Sequence, residues 1–170
     1  MSKLEIKKYG TAVLRQKAEP VKEINNSIRA LAADMLETMY EGRGVGLAAN
    51  QVGVPRRIAV VDVKWTQGEK SPVVLINPEI ISQSGEAVAE EGCLSFPGIT
   101  AKIRRPDRVE VSALDLDGKK RVVSCKGLFS RAVCHELDHL NGVLFIDRMN
   151  PVTKLTLRKK INRLKKQDGK

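Results

Sequence analysis

An α+β fold is predicted for this chain, with short, mostly antiparallel sheets packed around a central helix and a further helix at the C-terminal end. Three observations predict it. Apolar residues recur at helical spacing in three separate stretches, Val- and Ile-rich runs of strand length lie between the first two, and an Asp-Gly pair joins two such runs. At 170 residues the chain has the size of one domain. Its 42% apolar and 29% charged residues are those of a packed globular protein and exclude disordered or collagen-like classes.

The first helix is predicted from Ile28, Leu31, Ala32, Met35, Leu36, Met39 and Tyr40, which share one face, with Asn25, Asn26 or Ser27 as N-cap and Gly42 as the stop. The Gly-rich stretch 42–51 cannot continue it, and 57–63 reads as a strand. Further strands are expected at 73–76 and 109–114, and Asp117-Gly118 predicts a hairpin between 109–116 and 121–124. Helical spacing returns over 128–140 and stops near Asn141-Gly142. Pro151 opens a last helix to Lys166, with Val152, Leu155, Leu157, Ile161 and Leu164 as its apolar residues.

The N-terminal residues Met1 to Lys8 form no apolar signal core, and no run is long enough to cross a bilayer, so a cytoplasmic protein without membrane contact is expected. Cys93, Cys125 and Cys134 are an odd number in such a chain and read as reduced thiols or a metal thiolate. The net charge of +10 is concentrated at one end: Lys154, Arg158, Lys159, Lys160, Arg163, Lys165, Lys166 and Lys170 stand against Asp168 alone.

His135-Glu-Leu-Asp-His139 lies inside the predicted central helix. Residues four apart project from one face, so His135 and His139 can grip one metal ion while Glu136 reaches water beside it. Taken alone, the pair also fits a solvated or core-satisfied histidine couple. These are the only two histidines, so a third protein ligand must be a carboxylate or a thiolate. Phe145 stands where a metzincin carries its third histidine, and no Glu follows His139, which points upstream. Cys93, between Gly92 and Pro97, is the best-placed upstream donor, and two imidazoles with one thiolate leave a fourth position for water, as catalytic centres do. Cys134, about 100° around the helix from His135, and Cys125, in a strand, read as buried inert thiols.

Three segments together, Gly44-Val-Gly-Leu-Ala-Ala-Asn-Gln51, Glu91-Gly-Cys-Leu-Ser95 and His135-Glu-Leu-Asp-His139, resemble in order and approximate spacing the three motifs of peptide deformylases. The resemblance implies a metal-dependent hydrolase that removes the formyl group from N-formylmethionyl nascent polypeptides and releases formate. It implies that Cys93, His135 and His139 bind one divalent ion, naturally Fe2+ in that family and replaceable by Ni2+, Co2+ or Zn2+. By the same similarity Glu136 is the general acid/base, and the Gln51 amide with the Leu94 backbone N–H stabilises the developing oxyanion. Main-chain groups near Gly46 would hold the peptide, which explains the bare Gly44 and Gly46. Val45, Leu128, Ala132 and Val133 are candidates for a Met side-chain pocket, with ordinary core packing as the competing expectation. For Glu91 and Arg105, an ion pair orienting the Cys93 segment competes with a solvated surface pair, the plainer expectation.

The resemblance divides the chain into a catalytic part, 1–150, and a basic helix and tail of the same domain, 151–170. That tail suits either ribosomal RNA, as in bacterial members of the family, or a solvated cationic face; no sequence-specific nucleic-acid reader is found. Two other functions remain open: another metal-dependent amidase or peptidase, and a basic RNA-binding protein with a structural metal.

Overall fold

The computed structural model describes residues 2–168, so Lys170 of the basic tail lies outside the described residues. Helix α1 spans Asn26–Glu41; the Asn25 side chain accepts from the Ile28 N–H at 3.1 Å, and Gly42 closes the last turn by donating to the Thr38 carbonyl. Its inward face buries Ala32, Met35 and Met39, as the spacing predicts.

Among the described residues seven strands follow: β1 (Gly46–Ala48), β2 (Ile58–Val61), β3 (Val73–Ser84), β4 (Ala87–Gly92), β5 (Thr100–Arg105), β6 (Arg108–Leu114) and β7 (Lys120–Lys126). A five-stranded antiparallel sheet runs in the order β1-β2-β3-β6-β7, and β4 and β5 form a separate two-stranded hairpin. The Asp117-Gly118 turn joins β6 to β7, with Gly118 at φ +79°. Strand β3 continues well past Ile76, where the sequence suggested a stop. Pro78 has no N–H for a ladder, but it falls at an irregularity between Ile76 and Glu79, with Asn77 at φ +51°, and pairing with β6 resumes beyond it. The Asn77 amide bonds Val21 through both its oxygen and its nitrogen, which fixes that kink.

Helix α2 (Leu128–Leu140) packs on β1, β2 and β7, and buries ten of its residues. Against it lie Val61, Leu75, Val109, Val111 and Ala113 of the large sheet, with Cys125 and Cys134 as buried free thiols in the same cluster. Burial pushes the Cys125 thiol up to about 12, so both behave as small apolar residues. Helix α3 (Pro151–Asp168) lays Ile161, Leu157 and Leu164 onto Leu14, Phe96, Ile99 and Phe145. Val152 and Leu155 do not join that stripe; they are 75% and 68% exposed, because at about 100° per residue they project from the side of the helix opposite Leu157, Ile161 and Leu164. No described helix is long and apolar enough to cross a membrane.

Candidate active site

Three separate elements bring the site together. The hairpin β4–β5 ends in the turn that carries Cys93, α2 carries His135 and His139 one turn apart, and the short 3₁₀ turn Ala49–Val52 after β1 carries Gln51. The ligand atoms of Cys93, His135 and His139 all lie within 4.8 Å of one another, and Cys93 Sγ is 3.4 Å from His139 Nε2. The donor set fits a divalent transition metal: one thiolate and two imidazoles, both histidines buried, beside a cavity with room for a further ligand.

Glu91 fixes the tautomer of the first histidine. Burial alone would raise its carboxyl, but His135 and Arg105 outweigh that and hold it at about 2. An ionised carboxylate only accepts, so the 2.9 Å contact from His135 Nδ1 to Glu91 Oε1 places a proton on Nδ1 and makes Nε2 the ring nitrogen that could face a metal. Burial holds His139 well below the ordinary imidazole range, the neutral state a metal requires.

The expectation of a solvated Glu91–Arg105 pair is wrong. Their side chains are 6% and 3% exposed, and Arg105 grips both carboxylate oxygens, at 2.9 and 3.0 Å. Arg131 adds a 2.6 Å bond to the same carboxylate and two to the carbonyls of Ile103 and Ala87. Arg105 also reaches Asp138 at 2.6 Å, and Asp138 takes a two-point contact from Arg148. The pair is buried because β5 packs its alternate residues inward, a consequence of a hairpin that was not anticipated. Arg131, four residues before His135, was also missed; that spacing was the available signal, since it sets the guanidinium on the same helix face.

Glu136 is 4% exposed, and its Oε2 has no hydrogen-bond partner among the described residues. Burial raises its carboxyl to about 7, against the pull of His135 and Arg105. A carboxyl in that range, facing a cavity, is suited to exchanging protons at neutral pH. Gly46 makes room for it: a Cβ there would stand 2.6 Å from Glu136 Oε1. A Cβ on Gly44 would come within 2.9 Å of a Leu94 methyl.

Gln51 is 1% exposed, and its oxygen accepts from the Ala48 N–H at 3.0 Å. That contact assigns the amide, so Nε2 faces Cys93 Sγ at 3.6 Å and Ser95 Oγ at 3.2 Å. The N-terminal segment supports this corner from behind: the Lys7 N–H donates to the Gln51 carbonyl and the Tyr9 N–H to that of Ser95.

A cavity of about 590 Å3 opens over these groups, lined by Gly44, Val45, Gly46, Gln51, Cys93, Leu94, Leu128, Ala132, His135 and Glu136 among others. Val133 does not line it. One residue past Ala132 the helix has turned about 100°, and Val133 is fully buried in the cluster beneath the sheet.

Residues 3–155 match the family model for polypeptide deformylase. The peptide deformylase of Thermodesulfovibrio yellowstonii is 49% identical over 160 residues, covering 94% of this chain and 97% of that one. Among solved structures, peptide deformylase from Plasmodium falciparum superposes with a TM-score of 0.91 at 40% identity over 95% of both chains. That from Legionella pneumophila gives 0.89 at 39% identity over 99% of both. A family match across most of the chain, with this degree of identity and a shared fold, establishes that the chain belongs to the peptide deformylase family, the metal-dependent hydrolases that remove the formyl group from nascent polypeptides.

Proposed function

We propose that Cys93, His135 and His139 hold the divalent ion of this enzyme, and that Glu136 moves the protons of formamide hydrolysis. When bound, the ion supplies a Lewis acid that lowers the pKa of water and polarises the formyl carbonyl. Glu136 takes a proton from the attacking water and returns it to the departing amine as the C–N bond breaks, so formate and a free N-terminal Met result. The Gln51 amide and the Leu94 N–H donate to the formyl oxygen as charge builds on it, the Gly44–Gly46 main chain holds the peptide, and Val45, Leu128 and Ala132 receive the Met side chain. The observation that carries this reading is the convergence of one thiol and two imidazoles within 4.8 Å at a cavity that Glu136 also lines.

The donor set accommodates Fe2+, Zn2+, Ni2+ or Co2+, and Fe2+ is the ion we infer from the family. We take residues 1–150 as the catalytic part and 151–170 as helix and tail of the same domain, a reading supported by the packing of Ile161 on Phe96 and its neighbours. Its exposed Lys159, Lys160 and Arg163 suit the phosphates of ribosomal RNA, where formylated chains emerge in the cytoplasm.

Anaerobically metal-loaded protein should release formate from formyl-Met-Ala-Ser without cutting longer peptides internally. Glu136→Ala should lose turnover and keep its metal, whereas Cys93→Ala should lose the metal itself. Internal cleavage without formate would establish a peptidase instead, and full metal occupancy with full rate in Cys93→Ala would overturn the ligand assignment.

A further inference from the structure

The main chain between α1 and β1 is conformationally weak. Arg43 sits at φ +59°, an uncommon region for a side-chain-bearing residue, and Gly44-Val45-Gly46 follows with two residues of wide backbone freedom. Strand β1 lies at the end of the sheet and, among the described residues, pairs with β2 alone. The same three residues line the cavity.

What steadies them is the turn after β2. The Asp62 N–H donates to the Val45 carbonyl at 2.9 Å, and the indole N–H of Trp65 donates to the Gly44 carbonyl at 2.8 Å. Two consecutive carbonyls are thus held by the segment that follows β2. The indole is itself well fixed. Asp62 is 1% exposed, and its carboxylate accepts from the backbone N–H groups of Lys64, Trp65 and Ser71 and from the Tyr40 hydroxyl at 2.7 Å. The Tyr40 ring meets the Trp65 ring edge-on with centroids 5.5 Å apart. None of these groups belongs to the cluster of Cys93, His135 and His139 found among the described residues.

We propose that Trp65 is a positioning residue for the substrate: its indole N–H fixes the Gly44 carbonyl and so sets the direction in which the Gly44–Gly46 main chain meets the peptide beyond its formyl-Met. This rests on the reading that this segment holds the substrate backbone. It makes Trp65 a determinant of how well a peptide is held, leaving proton transfer at Glu136 untouched.

The test is Trp65→Phe, which keeps an aromatic ring and removes the donor, assayed as metal-loaded enzyme on formyl-Met-Ala-Ser and on formyl-Met amide, which lacks the downstream residues. KM for the tripeptide should rise about fivefold, the scale of one neutral hydrogen bond, with kcat within about twofold, metal content unchanged and KM for the amide unchanged. An unchanged KM for the tripeptide, an equal rise for both substrates, or a fall in kcat alone would overturn the proposal. Formate release by the parent enzyme is read in the same assay, so its absence would signal a failure of the functional reading rather than of the role given to Trp65.

Discussion

His135 Nδ1 lies 2.9 Å from Glu91 Oε1, and that carboxylate is also held by Arg105 and Arg131, so one buried anion joins hairpin β4–β5 to the helix that carries both histidines. Removing its charge should loosen the metal. Glu91→Gln is expected to weaken metal binding by about 10- to 100-fold, measured by competition with a chromogenic chelator. Parental affinity in that variant would mean that His135 is oriented by packing alone.

Gly46 and Glu136 compete for the same space. Gly46→Ala would bring a Cβ to 2.6 Å from Oε1 and 2.9 Å from Cγ of a side chain that is only 4% exposed, so the carboxylate must shift from its place at the cavity wall. We expect kcat to fall by about a hundredfold while metal content holds, because a proton carrier displaced by about 1 Å loses its geometry. The stability cost should be about 1–3 kcal/mol, the range of overpacking, seen in a urea melt. A variant with parental kcat would show that Glu136 has freedom the packing does not suggest.

Helix α3 has two faces with separable tests. Charge reversal at Lys159, Lys160 and Arg163, all exposed, should weaken cosedimentation with ribosomes and leave formate release from a short peptide within about twofold. Ile161→Ala, at 6% exposure, should instead cost about 2–5 kcal/mol of stability through the cavity left beside Phe96. Ribosome affinity unaltered by the reversal would leave the cations a solvating role only.

The Arg15–Asp147 pair gives an acid-sensitive contribution. Burial alone would raise the Asp147 carboxyl, but the Arg15 guanidinium at 2.6 Å and the Leu144 N–H hold it below the usual carboxylate range. A depressed folded-state pKa adds stability above the unfolded value, near pH 4, and that stability is lost as pH falls through the folded value. Both side chains are about a third or more exposed, so screening keeps the contribution below about 1 kcal/mol. The difference in unfolding free energy between the parent and Asp147→Asn should be steady from pH 5 to 7 and shrink toward pH 3. A difference that does not change with pH would assign the effect to shape alone.

The helix that carries both histidines was legible because helical spacing is a local property: once 128–140 is a helix, His135 and His139 must share a face. The count of histidines and the absence of a downstream Glu then directed attention to Cys93. The hairpin β4–β5 was not legible. Ala87 to Gly92 is short, rich in Ala and Glu, and is a strand only because Arg105 and its neighbours pair with it, a non-local fact. The burial of Glu91, Arg105 and Arg131 follows from that pairing, and no single-residue preference would place two guanidinium groups and a carboxylate inside. The bond from Trp65 to Gly44 was hidden for the same reason, being made through space between two loops.

Strand β1 is three residues long and gives way at once to a 3₁₀ turn. An edge so brief offers main-chain groups to only the opening units of a guest chain. On our reading of the site, that brevity confines what β1 can contribute to recognition to the start of a polypeptide, the part that every newly made chain presents.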